Sequence, residues 1–280
     1  RCSGFSFSVL FWADNMICNL FEIFNFEKEN MPLTPDRLLS TKELIKLQNT
    51  AGHKVKLVDG SFTLPGCEPL ARDIFNQKRL QGAVFFDIEA CARPDTELPH
   101  MVPDPEIFQS HVGKLGIEND DHVVIYGQEN IAMGPCRVFW MFETFGHTNV
   151  HLLNMSLEYL EKQGHKVDMT APALSRTSSY KVTRKPADIA DMQQVYASLG
   201  KSDIHILDAR PEGRFSGKSP EPREGMRSGH IPGSLNIPAS NLVDPVTGGF
   251  KPLSQIQDIL AGQIDAQVKK FITSCGSGVT

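Results

Sequence analysis

The last seven residues, Ser274-Cys275-Gly276-Ser277-Gly278-Val279-Thr280, deliver a thiol into a glycine-interleaved loop. The run before it, Lys270-Phe271-Ile272-Thr273-Ser274, reads as a buried strand. Gly276 and Gly278 can take backbone angles that other residues avoid, so the loop can curl around one centre. Successive N–H groups then converge as an anion nest. A nest favours thiolate over thiol, and the thiolate is the reactive form of cysteine. Cys275 is therefore read as a nucleophile, against the alternative of a buried cysteine that serves as a small hydrophobe. The paired glycines, the preceding strand and the hydroxyls in the loop favour the first reading.

The chain around this loop has 280 residues, a net charge of -5 and no basic stripe, so nucleic acid is not an expected partner. Its length suits one large or two ordinary domains. The six cysteines, Cys2, Cys18, Cys67, Cys91, Cys136 and Cys275, show neither C-x-x-C nor Cys/His metal spacing. No metal and no cofactor is expected, and free thiols point to a reducing compartment. Residues 1–30 are treated as an extension, with Met31 a plausible start. Phe5 to Phe26 is apolar but interrupted by Asp14, Asn15, Asn19 and Glu22. It falls short of the roughly 20 apolar residues of a spanning helix and lacks the flanks of a secretory signal, so no membrane association is expected. The cytoplasm is the expected location, with the mitochondrion as the alternative.

Regular signals begin at Ser40, whose spacing to Glu43 predicts a capping box. Strands are expected at 55–59, 83–88, 122–126, 150–154, 204–209, 234–238 and 270–274. Helices are expected at 69–77, 105–115, 135–145, 156–163, 188–199 (capped by Asp188) and 254–260. Residues 166–187 are rich in Ser, Thr, Pro and Lys and read as a linker. Strands alternating with helices predict an α/β architecture with a mainly parallel sheet flanked by helices.

The two halves repeat. Leu57-Val58-Asp59 matches Leu207-Asp208, Leu80-Gln81-Gly82-Ala83 matches Ile231-Pro232-Gly233-Ser234, and Val124-Ile125-Tyr126-Gly127 matches Ile272-Thr273-Ser274-Cys275. The common offset of about 150 residues is domain-sized. Two domains are inferred, 31–165 and 188–280. Gly127 stands where the second half has Cys275, so the first domain is expected to be non-catalytic. The first half continues past Gly127 with a helix, a strand and a helix. By that standard the second domain is truncated at its C-terminus.

Further stretches carry a resemblance. They are Asp208-Ala209-Arg210 with Gly213-Arg214-Phe215, Glu221-Pro222-Arg223-Glu224-Gly225, Gly229-His230-Ile231-Pro232-Gly233-Ser234, Phe85-Phe86-Asp87-Ile88 and Arg137-Val138-Phe139-Trp140-Met141-Phe142. With the Cys275 loop they resemble the two-domain rhodanese family over roughly residues 35 to 280, and within it the sulfurtransferases that act on 3-mercaptopyruvate. The resemblance implies tandem rhodanese-like domains and double displacement through a Cys275 persulfide. Pyruvate is released and the sulfur passes to a thiol acceptor such as thioredoxin. It also implies that Arg214 and Arg223 bind the substrate carboxylate. Gly276, Gly278, Val279 and Thr280 would line the same site. Ser277, His100 and Glu89 would handle the substrate's thiol proton, with Glu89 standing where the family has aspartate. His230 is read as a buttress of its turn.

The expected assembly is a monomer or weak dimer. Thiosulfate is the alternative sulfur donor, disfavoured by the neutral Gly276-Ser277 pair where thiosulfate enzymes of the family carry Arg-Lys. Two other readings stay open: an inactive rhodanese-like binding protein, and a cysteine-dependent phosphatase, which would need an arginine just beyond Thr280.

Overall fold

The computed structural model describes residues 9–10, 37–64, 66–96, 98–170, 176–184, 186, 189–222, 225–265, 268 and 270–279. In chain order the elements are β1 (Val9–Leu10), β2 (Leu38–Leu39), α1 (Thr41–Ala51), β3 (Val55–Asp59), α2 (Ala71–Gln77), β4 (Arg79–Leu80), β5 (Val84–Phe85), α3 (Pro105–Lys114), β6 (His122–Gly127), α4 (Pro135–Thr144), β7 (Val150–Ser156), α5 (Leu157–Lys162) and β8 (Val167–Asp168). The second half continues with β9 (Ile189–Ala190), α6 (Met192–Ser198), β10 (Ile204–Asp208), α7 (Glu212–Phe215), β11 (Leu235–Asn236), α8 (Ala239–Leu242), α9 (Leu253–Ala261) and β12 (Lys270–Ser274).

Helices cover both faces of each sheet, so the strands are apolar at successive positions instead of alternating with polar ones. Val123 and Ile125 of β6 point into a core with Phe86, Phe108, Val138 and Phe142. Val124 and Tyr126 point the other way, towards Leu44, Phe75 and Leu157. In the second half Leu207 and Phe271 face Ile256 and Leu260, while Ile206 and Ile272 face Val195. This is the period of two of a pleated strand.

The sheets share one plan. The first runs β2-β7-β6-β3-β5 and the second β9-β1-β12-β10-β11. The strand registers of the two sheets correspond at these positions. Asp59 pairs with Tyr126 and Phe85, and Asp208 pairs with Ser274 and Asn236. Gly127 and Cys275 therefore occupy the same place, one residue past the Tyr126 and Ser274 pairings, Gly127 as the last residue of β6 and Cys275 just beyond β12. The Ala83 N–H donates to the Leu80 carbonyl at 3.0 Å, and the Ser234 N–H to the Ile231 carbonyl at 3.0 Å. One difference stands out. The place that β7 holds in the first sheet is held in the second by β1, which runs antiparallel to both β12 and β9.

The entry helices of the halves also correspond. Ser40 caps α1 in a capping box with Glu43, as its spacing predicts. The expected cap at Asp188 lies outside the described residues, and the helix it was to cap starts later. Asp191 caps α6 in a box with Gln194, and Ile189–Ala190 is a strand. A short buried strand and a helix face look alike over two residues, so the apolar pair by itself suits either. The expected strand at 83–88 shortens to β5, and described parts of the 166–187 stretch lie against the first half. Its β8 pairs with β4, and Tyr180 is buried in the first core.

Candidate active site

Strand β12 ends at Ser274, whose carbonyl accepts from the Ala209 N–H at 2.8 Å, so Cys275 emerges beside the end of β10. Cys275 is half-buried. The Gly278 N–H donates to its Sγ at 3.0 Å. A donor aimed at sulfur stabilises the charged form over the neutral one. Gly278 sits at φ +71°, a left-handed angle that an L side chain rarely adopts, which is why glycine is there. Gly276 is glycine for another reason. A Cβ at that position would fall on the guanidinium of Arg214.

Arg214 is presented by α7 and held by a chain of charges. Its Nη2 donates to Glu221 Oε2 at 2.5 Å and its Nε at 3.2 Å. Glu221 accepts from Arg210 Nη1 at 2.8 Å, and Arg210 grips the buried Asp208 carboxylate from Nε at 2.9 Å and Nη2 at 2.5 Å. The hydrogen bond that Arg210 donates to Asp208 raises the guanidinium against the opposing effect of burial. Such paired forks orient as well as bind. Arg214 is thereby aimed at the cysteine loop with a planar donor face suited to a carboxylate. Arg223 lies outside the described residues. His230 stacks on Phe215 with ring centroids 3.9 Å apart and shares a hydrogen bond with the Phe215 carbonyl at 2.8 Å, in line with a buttressing role.

The other side of the site comes from the first half. His100 is buried, and its Nδ1 stands 3.2 Å from Glu89 Oε2, whose side chain is exposed. Its ring meets Phe62 edge-on with centroids 5.0 Å apart. The extra methylene of Glu89 thus does not prevent a carboxylate from reaching the imidazole. His100 has φ +60°, an unusual angle for a residue with a side chain, so the surroundings must hold it there. Ser277 is half-buried in the loop two residues past Cys275.

One expectation for the loop changes. Val279 was expected to line the substrate site, but its side chain is 1% exposed and packs in the first-half core. An isopropyl group gains more from that core than from a polar pocket, so Val279 anchors the loop and leaves only its backbone for the site. Thr280 lies outside the described residues. Sequence reading also passed over two residues that shape the site, Glu221 and Arg137. Arg137 had a visible signal: it is the one charge among Pro135-Cys136-Arg137-Val138-Phe139-Trp140-Met141-Phe142. Glu221 had none apart from its place in the Glu221-Pro222-Arg223 stretch.

Among the described residues, the one group of three metal-ligating side chains is Glu118, Asp120 and Asp121. It precedes β6, at the opposite end of that strand from Gly127, and Lys54 reaches Glu118 and Asp120 at 3.1 and 3.0 Å. Among the same residues, no helix is long and apolar enough to cross a membrane.

The profile of the rhodanese-like domain matches residues 191–280. A probable 3-mercaptopyruvate sulfurtransferase of Schizosaccharomyces pombe is 35% identical over 243 residues, covering 85% of this chain and 80% of the relative. A thiosulfate sulfurtransferase of Rattus norvegicus is 33% identical over 248 residues, covering 87% of this chain and 82% of the relative. The crystal structure of a 3-mercaptopyruvate sulfotransferase from Escherichia coli superposes with a TM-score of 0.76 at 29% identity, covering 87% of this chain and 90% of that one.

Proposed function

The chain belongs to the rhodanese family of sulfurtransferases, and from that premise we propose that it moves sulfur from 3-mercaptopyruvate to a thiol acceptor through a Cys275 persulfide. The observation that carries this reading is Arg214 seated against Gly276, beside Cys275, a place only glycine leaves open. A cation there suits a keto-acid carboxylate, with the substrate's sulfur left to meet Cys275 Sγ. Arg223 is the second carboxylate binder in this reading.

The Cys275 thiolate attacks the substrate sulfur and an S–S bond forms. The C–S bond breaks, and its electron pair leaves on carbon as the enolate of pyruvate. The thiol proton of the substrate ends on that carbon, giving pyruvate, while the persulfide stays on Cys275. An acceptor thiolate, from a small thiol or from thioredoxin, then takes the outer sulfur and restores the Cys275 thiolate. No net oxidant or reductant is consumed in this exchange, and ping-pong kinetics accompany it. Ser277, His100 and Glu89 manage the proton, the last by orienting His100 at 3.2 Å.

In this reading the protein is two rhodanese-like domains, 31–165 and 188–280, joined by 166–187. The first lacks a nucleophile and lends His100 and Glu89 to the second. It works without a cofactor, in the cytoplasm, as a monomer or weak dimer. Purified protein releases pyruvate from 3-mercaptopyruvate when a thiol is present, and gains one sulfur atom by intact mass in its absence. Cys275→Ser abolishes both, and pyruvate release that survives the substitution overturns the proposal. Gly276 and Ser277 put no cation beside the incoming sulfur, so kcat/KM is higher for 3-mercaptopyruvate than for the thiosulfate dianion.

A further inference from the structure

Arg137 is 1% exposed in the first turn of α4, a helix whose every residue is buried. Its Nη1 donates to the Gly278 carbonyl at 2.6 Å, and its Nη2 to the His100 carbonyl at 2.9 Å. Its guanidinium carbon lies 5.1 Å from the Trp140 ring centroid. Among the described residues none of its partners is a carboxylate, and Nε makes no hydrogen bond. A buried cation with no anion beside it costs several kcal/mol of lost hydration, which packing alone does not return. The two carbonyls belong to the nucleophile loop of the second half and to the loop of the first half that carries His100. One of them follows a histidine held at φ +60°.

We propose that Arg137 is a positioning residue for sulfur transfer: it ties the Cys275 loop to the His100 loop and supplies the buried positive charge that the Cys275 thiolate and persulfide require. The inference rests on the sulfurtransferase reading above and adds a residue from the non-catalytic half to it. The electrostatics agree. Burial pulls the Arg137 guanidinium down to about 10, and the sulfurs of Cys275 and Cys91 pull it back up. Burial also pushes the Cys91 thiol up to about 12, which disfavours a charge on that sulfur. Among the described residues, the other charged and titratable groups around the loop are Arg214 with Glu221, Arg210 with Asp208, and His100 with Glu89.

The test uses the 280-residue chain and the variants Arg137→Met and Arg137→Lys. Alkylation of Cys275 by iodoacetamide is followed against pH by peptide mass, with pyruvate release and thermal unfolding measured in parallel. For Arg137→Met the alkylation profile moves about one pH unit upward, the direction that loss of a nearby cation dictates. Its kcat falls about 30-fold or more, while KM changes less than about threefold because Arg214 is intact. Arg137→Lys restores the alkylation profile but recovers only part of kcat, since an ammonium cannot fork to both carbonyls. A folded Arg137→Met protein with the parent profile and kcat overturns the proposal. If Arg137→Met does not fold, Arg137→Lys decides: parent kcat in that variant overturns the positioning role. Because alkylation needs no sulfur donor, it reports on Arg137 even if the parent protein releases no pyruvate. That second result would count against the reaction and not against the residue.

Discussion

Position 276 holds glycine because of its neighbour and position 278 because of its own backbone, a distinction that the spelling Cys-Gly-Ser-Gly does not reveal. The Arg214 guanidinium fills the space a Cβ would take at 276, whereas Gly278 sits at φ +71°. Gly276→Ala is therefore expected to push Arg214 off the loop while leaving the fold intact. KM for 3-mercaptopyruvate should rise about tenfold, equivalent to about 1.4 kcal/mol of binding, with a smaller change in kcat. Steady-state kinetics on the variant check this, and an unchanged KM would remove Arg214 as the carboxylate binder. At this scale the tight loop around Cys275 was readable from local residue types. Arg214, His100 and Glu89 were readable only through resemblance, because nothing local ties Glu89 or His100 to a loop so far along the chain.

At the scale of elements, a turn of the second half plugs the first. Phe250 N–H donates to Asn154 Oδ1 at 2.6 Å, Ser156 N–H to the Thr247 carbonyl at 2.7 Å, and Ile131 N–H to the Gly248 carbonyl at 3.0 Å. The turn from Val243 to Phe250 thus covers the loop that follows Gly127, the counterpart of the cysteine loop. Gly248 is at φ +70°, and a Cβ there would meet the Glu129 carbonyl and Ser156. Gly248→Ala should cost about 2 kcal/mol through overpacking and backbone strain. Denaturant unfolding measures it, and a neutral substitution would mean that the turn is not seated as described. The strands and most helices that frame this turn were legible from their apolar runs, and Ser40 with Glu43 from its cap. The start of the helix expected from Asp188 was not legible, because Ile189-Ala190 suits a strand and a helix equally, and the cap is Asp191. The docking of the turn left no sequence trace beyond a pair of glycines, which any turn could carry.

At the scale of the molecule, the halves share buried ground. Val279 of the cysteine loop packs in the first-half core, with Phe250 and Ile189 against it. That core also sets a pH limit. Burial pulls His111 and His147 down to about 4 each. Their Nε2 and Nδ1 atoms, respectively, are sequestered without a hydrogen-bond partner among the described residues. An unfolded imidazole titrates near 6.5. Between about 6.5 and 4 the unfolded chain binds more protons than the folded one, so the stabilisation from keeping these rings neutral is full above about 6.5 and is lost as pH falls towards 4. Each ring contributes on the order of 3 kcal/mol to that loss. Unfolding free energies at pH 7 and pH 4.5 should fall steeply for the parent chain and more shallowly for His111→Gln with His147→Gln. Parallel slopes would contradict the assignment.

The sequence by itself determined the layered α/β plan, the internal repeat and the place of the Cys275 loop. These follow from short-range rules: apolar runs bounded by turns, caps at fixed offsets, and a cysteine between glycines after a strand. Register then put Gly127 and Cys275 at one position, in agreement with the repeat. Tertiary structure alone decided what surrounds the sulfur. It turned Val279 inward as an anchor, set Arg210 and Glu221 behind Arg214, and brought Arg137 and His100 across from the other half. The physical reason is range. Backbone preference and periodicity act over a few residues, whereas a buried charge is satisfied by whatever the folded chain places beside it, and for Arg137 that is a carbonyl 141 residues away. The loop at Cys275 is thus written locally, and its setting belongs to the whole fold.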